Sequence, residues 1–203
     1  NLKTEHYQPE GVRIIRLQNI KVNKFDNSHE LYVSESHYEK IKKHTCLPND
    51  IIIGTMGEPN IRACILPNYI KKAVNKADCV QCRPNLEEVT TEYLCALINQ
   101  PTMIYFVQKY LRGQTRTRVS MGMLRKVSIP IPPISLQKEF SKIYQNIEGL
   151  KKTNRHYLNE AENLFNSLLQ RAFKGELEID EKVYKGLIED EFWMEVEIEK
   201  WVE

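Results

Sequence analysis

The spacing of apolar residues changes twice along this chain, and each change marks a change of structure. Through residue 90 they come in short, β-branched runs separated by turns. Val12-Arg13-Ile14-Ile15-Arg16-Leu17 is the first predicted strand, and Asp50-Ile51-Ile52-Ile53, bounded by Pro48-Asn49 and Gly54, is the clearest. Cys64-Ile65-Leu66 and Cys79-Val80-Gln81-Cys82 read as two more. Between them, Gly54-Thr55-Met56-Gly57-Glu58-Pro59-Asn60 is a turn-rich loop with Arg62 close behind it. Residues 91–111 switch to helical spacing. Thr91 can cap a helix carrying Tyr93, Leu94, Ala96, Leu97 and Ile98, and Pro101 starts a second with Met103, Ile104, Phe106, Val107 and Tyr110 on its apolar side. Prolines 130, 132 and 133 then make residues 127–134 an extended exit.

From residue 135 the period changes for good. Phe140, Ile143, Ile147, Leu150, Asn154, Tyr157, Ala161, Leu164 and Leu168 keep a sustained 3-4 spacing, which is a heptad seam. A helix over 135–173 would be about 58 Å long at 1.5 Å per residue, more than a domain of roughly 130 residues can cover. The seam therefore predicts pairing with another helix, and Asn154 within it would set the register at some cost in stability. Heptads alone leave parallel and antiparallel pairing open; the plainer alternative is a helix folded over its own domain. The predicted class is α+β: a mixed globular domain over 1–134, one long coiled-coil helix over 135–175 and an acidic tail over 176–203.

Charge sharpens this division. The net charge of +2 conceals 26 basic against 16 acidic residues in 1–175, and 3 against 11 in 176–203. No acidic residue lies between Glu92 and Glu139, where Lys109, Arg112, Arg116, Arg118, Arg125, Lys126 and Lys138 all fall. A long stretch of one sign points to a polyanionic partner such as nucleic acid. No run approaches the roughly 18 apolar residues of a membrane span, and the first residues lack a basic start before an apolar stretch. A soluble, cytoplasmic protein without a membrane partner is expected; the absence of a starting Met is compatible with a piece of something longer.

Candidate chemistry is sparse. Five cysteines, an odd number, suggest reduced thiols. Cys79-Val80-Gln81-Cys82 could begin a zinc site with Cys46, Cys64 or His44, but in a strand residues three apart face opposite ways, which favours buried thiols and no metal. The 54–60 loop lacks the Lys-Ser/Thr of a phosphate-binding loop. Ile131-Pro132-Pro133-Ile134 lacks the Asn or Asp and the aromatic of an amino-methyltransferase motif. Glu178-Ile179-Asp180-Glu181-Lys182 lacks the upstream carboxylate of a nuclease site and reads as a solvated charge run.

The order of features resembles one half of the specificity (S) subunit of type I restriction–modification systems. The residues that carry the resemblance are 11–20 (Gly11-Val12-Arg13-Ile14 onward), Asn49-Asp50-Ile51-Ile52-Ile53-Gly54-Thr55-Met56-Gly57, Cys82-Arg83-Pro84-Asn85 and Gly113-Gln114-Thr115. Ile129-Pro130-Ile131-Pro132-Pro133-Ile134-Ser135-Leu136-Gln137 leads into the helix, and Leu168-Leu169-Gln170-Arg171-Ala172-Phe173-Lys174-Gly175-Glu176-Leu177 ends it. It covers residues 11–177; such subunits normally have two recognition domains and two long helices, and this chain shows one of each. The resemblance implies a non-catalytic target-recognition domain reading one half of a bipartite site in double-stranded DNA. It also implies a helix that pairs antiparallel, with a second copy or with the second half of the same subunit. Adenine methyltransferase (M) and restriction (R) subunits would be the partners, and S-adenosylmethionine, ATP and Mg would sit on them, with no cofactor in this chain.

Sequence-specific binding needs cations on phosphates and forked or amide groups on base edges. The segment 114–120 offers both: Arg116 and Arg118 suit guanine and Gln114 suits adenine, on one strand face with Ser120. Arg112, Thr115 and Thr117 complete that segment. Arg62 is a second base-reading candidate, while Lys21, Lys24, Lys71 and Lys72 suit phosphates. Two other readings stay open: a coiled-coil scaffold or regulatory partner that does not read DNA, and the specificity half of a fused restriction–methylation enzyme.

Overall fold

A computed structural model of the chain describes residues 2–109 and 118–176. These fall into two units divided between Ile147 and Glu148. The acidic tail, apart from Glu176, lies outside the described residues, as does 110–117.

The first unit is built on three sheets. Strands β1 (Val12–Ile15), β4 (Tyr32–Val33), β5 (Thr45–Cys46) and β8 (Ala73–Asn75) form a four-stranded sheet in the order β4-β1-β8-β5, with β1 and β8 parallel and the other pairs antiparallel. Strands β6 (Ile51–Gly54), β7 (Arg62–Ile65) and β9 (Cys79–Cys82) form an antiparallel sheet in the order β7-β6-β9. A short hairpin, β2 (Ile20–Lys21) and β3 (Lys24–Phe25), pairs Lys21 with Lys24 across a turn whose Asn23 has φ +56°. Helix α1 (Glu35–Ile41) starts at Ser34, whose side chain accepts from the His37 N–H. Helices α2 (Thr91–Ile98), α3 (Pro101–Lys109), α4 (Met121–Leu124) and α5 (Ile134–Phe173) complete the chain order.

The unbroken run Ile51-Ile52-Ile53 arises because β6 is covered on both faces. Ile51 and Ile53 pack with Ile61, Ala63, Leu94, Ile98, Val107 and Val119 in one cluster. Ile52 turns the other way, toward Ile15, Ile20, Cys46, Cys64, Leu66, Ala73 and Cys79. Cys46, Cys64 and Cys79 are thus core residues of the second cluster and Cys95 of the first, against which Cys82 packs half-buried. Burial pushes the Cys46, Cys79 and Cys95 thiols up to about 12 and raises Cys64 as well, so each stays protonated. Cys79 and Cys82 pack into different clusters, as residues three apart in a strand must.

Two polar anchors tie the strands to the segments that succeed them in the chain. Asp50, buried at the start of β6, takes Arg83 Nε and Nη2 at 2.7 and 2.8 Å and the Gln81 amide at 2.9 Å. Burial alone would raise its pKa; the Arg83 guanidinium, the Leu47 N–H and Gln81 outweigh burial and hold the carboxyl below its ordinary value. The second anchor ties the start of α5 to α2. Gln137, fully buried, accepts from the Thr90 N–H at 2.9 Å and donates to the Glu88 and Pro132 carbonyls at 3.0 and 2.8 Å. Ser141 Oγ lies 3.0 Å from Thr90 Oγ1, and Tyr93 meets Phe140 edge-on with centroids 5.9 Å apart.

These contacts revise one member of the predicted pairing seam. Phe140 is half-buried between Tyr93 and Tyr144, so it packs on its own domain, and the first unit includes the helix as far as Ile147. From Ile143 onward the seam is exposed: Ile143, Ile147, Leu150, Asn154, Tyr157, Ala161, Leu164 and Leu168 all face solvent, with Leu150 and Leu164 exposed by 64% and 62%. Leu158, Phe165 and Leu169 are exposed beside it, which widens the stripe over the last four turns beyond a strict two-position seam. The helix stops at Gly175, whose φ of +71° and the bond from Glu176 N to Arg171 O at 2.8 Å make a left-handed C-cap.

Candidate nucleic-acid interface

Strand pairing gathers several basic residues of the first unit at one end of β8. Because β5 runs antiparallel to β8 with Thr45 opposite Val74, Lys43 and His44 just before β5 come alongside Asn75 and Lys76 at the end of β8. The turn Lys76-Ala77-Asp78, closed by Cys79 N to Lys76 O at 3.1 Å, carries the chain into β9. There Gly54 pairs with Cys79, which sets Thr55 beside Asp78: Thr55 N and Oγ1 both donate to the Asp78 carbonyl, at 2.9 and 3.1 Å. Thr55 O in turn accepts from Val119 N at 2.9 Å, and Met56 bridges Arg118. The result is a groove of about 680 Å³ lined by Lys40, Lys43, His44, Lys76 and Arg118, with Asp78 its one carboxylate among the described residues.

The predicted segment 114–120 thus reaches the groove through its described end. Arg118 is 58% exposed and lies with Nε 2.6 Å from Asp78 Oδ1, an ion pair. Ser120 is also at the groove, where its Oγ accepts from Met123 N at 3.2 Å as the N-cap of α4, which leaves its O–H and one lone pair. Arg112, Gln114, Thr115, Arg116 and Thr117 lie outside the described residues.

Arg62 takes a different role from the base reading expected of it. Its guanidinium points inward and donates to four carbonyls: Nε to Ile20 O at 2.7 Å, Nη1 to Met56 O at 2.8 Å and Pro59 O at 3.3 Å, and Nη2 to Leu17 O at 3.0 Å. An arginine so engaged has no free fork for a base edge; it holds the 54–60 loop against β2. Gly57 is part of this seat, since its φ is +105° and a Cβ there would come within 3.2 Å of Arg62 Nη1.

The four lysines predicted for phosphates do not join the groove. Lys21 and Lys24 sit on the β2–β3 hairpin, with Lys21 3.9 Å from Asp26. Lys71 and Lys72 line a separate cavity of about 360 Å³ near the start of β8, with Arg13, Glu30 and Glu35. There Lys72 pairs with Glu35 at 3.0 Å and lies over the Tyr38 ring, while Lys71 is exposed. The groove lysines Lys40, Lys43 and Lys76 were not singled out from sequence, and His44 was named there only for a metal. Lys40-Ile41-Lys42-Lys43-His44 reads as an ordinary solvated run until β5 pairs with β8.

The described residues thus combine a mixed α+β domain bearing a basic groove with a helix of about 60 Å bearing an exposed apolar seam. The chain belongs to the type I restriction modification DNA specificity domain family, whose model matches residues 2–163. It is 23% identical over 175 residues to the type I restriction enzyme EcoBI specificity subunit of Escherichia coli, covering 83% of this chain and 36% of that one. It is 24% identical over 148 residues to a putative type I restriction enzyme MjaX specificity subunit of Methanocaldococcus jannaschii, covering 69% of this chain and 34% of that one. The chain therefore spans about a third of the length of these relatives. In fold it is similar to the HsdS subunit of Thermoanaerobacter tengcongensis, with TM-score 0.54 and 16% identity over 82% of this chain and 42% of that one. A chain from a structure of the assembly and conformational transition of the type I R-M system matches with TM-score 0.50 and 17% identity, over 87% of this chain and 42% of that one.

Proposed function

We propose that the chain is one recognition half of a type I restriction–modification specificity subunit. Its first unit reads part of a DNA site at the basic groove, and the exposed seam of α5 pairs with a second such helix, from another copy or from the other half of the same subunit. Methylation and cleavage then belong to adenine methyltransferase and restriction partners, which carry S-adenosylmethionine, ATP and Mg. The observation that carries this reading is the convergence of Lys40, Lys43, His44 and Lys76 on the edge where Arg118 and Ser120 emerge. Lysines around a forked donor suit a phosphate backbone with base edges between its strands.

A fluorescent mixed-sequence duplex separates this reading from a scaffold that does not bind DNA. Binding is expected to weaken by at least about tenfold between roughly 50 and 200 mM salt, as counterion release requires. Lys40→Ala and Lys43→Ala should each reduce the slope of log K against log salt by about one, with little effect on sequence preference. Salt-independent binding, or slopes unmoved by both variants, would take the groove out of the interface.

A further inference from the structure

The groove is basic except at Asp78, and a carboxylate facing a polyanion must have a use that outweighs its repulsion. The fold does not require one there. Asp78 has φ +69° at the third position of its turn, a conformation that Asn adopts as readily as Asp. The part of Asp78 that supports the fold is its main-chain carbonyl, which holds Thr55. Its side chain, only 20% exposed, is left to Arg118.

The form of that contact is informative. Asp78 Oδ1 lies 2.6 Å from Arg118 Nε as an ion pair without a hydrogen bond, and this buried oxygen has no hydrogen-bond partner among the described residues. The pair is therefore held by charge, and the terminal nitrogens of Arg118, the edge that matches guanine O6 and N7, make no hydrogen bond among the described residues. The main chain of the same residue is tethered by the Met56 bridge and by Val119 N on Thr55 O, so backbone and side chain are held from the same turn.

We propose that Asp78 is a positioning residue for base reading: its charge holds the Arg118 guanidinium in place so that the terminal fork is left for a base edge, trading groove charge for sequence discrimination. This rests on the reading of the groove as a DNA interface. It predicts opposite signs for two quantities. Asp78→Asn keeps the turn and removes a negative charge, so affinity for a mixed-sequence duplex should stay level or rise about two- to threefold. The ratio of affinities between a preferred duplex and that mixed one should fall about tenfold, the range of one bidentate base contact.

The experiment selects bound duplexes from a pool with randomised central positions, using the whole chain, and then measures the best duplex and a scrambled one with each variant. Unmutated protein that selects no motif would sink the DNA reading itself. A motif that survives Asp78→Asn with its ratio intact, or equal losses on both duplexes, would overturn the positioning role alone. Arg118→Lys keeps the charge but has no terminal fork, so it should reproduce the loss of discrimination, and adding Asp78→Asn to it should change the ratio no further. Should Asp78→Asn fail to fold, Arg118→Lys decides by itself, and retained discrimination overturns the proposal.

Discussion

Replacing Arg62 by methionine is expected to lower the unfolding free energy by about 3–4 kcal/mol, and the melting temperature by roughly 10 °C for a chain of this size. Methionine keeps much of the apolar stem but none of the donors, so the carbonyls of Leu17, Ile20, Met56 and Pro59 lose a charged partner together. Arg62→Lys should recover little, because one ammonium cannot reach acceptors spread around a planar fork. The same loss should loosen the rung that joins Thr55 and Met56 to residues 118–119, so DNA binding should weaken at temperatures where the fold persists. Urea unfolding monitored by circular dichroism measures the first effect; a change below about 1 kcal/mol would return Arg62 to the pool of surface cations.

The unmutated chain is expected to self-associate, and Ile147→Asp combined with Leu150→Asp to leave it monomeric. Ile143, Ile147, Leu150, Leu164 and Leu168 are all exposed, and each that becomes fully buried on pairing contributes roughly 1.5–3 kcal/mol. Two carboxylates in such a seam would be desolvated without partners, at a cost that exceeds the remaining apolar gain. Neither substitution touches the anchors of α5 on the globular domain, which lie at Gln137, Phe140 and Ser141. Sedimentation should therefore show a lighter species with unchanged circular dichroism of the sheet. An unmutated protein that stays monomeric at tens of micromolar would remove self-pairing and leave the seam to another chain.

The elements legible in the sequence are those whose pattern is long or whose ends are chemically marked. Strand β6 is a β-branched run between Pro48-Asn49 and Gly54, and α5 repeats its heptad from Phe140 to Leu168 with Gly175 as its stop. Strands β5 and β8 have only two and three residues, too few to show a period, and become strands because β1 offers β8 a parallel edge. The groove was illegible for the same reason. Nothing local says that Lys43 will lie beside Lys76 and Arg118, since that depends on pairings between residues 27 to 62 positions apart. Arg62 shows the opposite limit: its type and its place after a loop fit a base reader, and only the ring of carbonyls around it reveals a brace.

A domain that reads DNA sequence must do more than bind charge, and selection from a pool of duplexes with randomised central positions separates the two. The salt concentration is set where nonspecific binding is weak. The bound fraction is expected to converge on one short motif, and Arg118→Ala to lower affinity for that motif by about 1–3 kcal/mol while affecting scrambled duplex less. A bound fraction as diverse as the starting pool, at salt where binding persists, would contradict sequence reading by this domain.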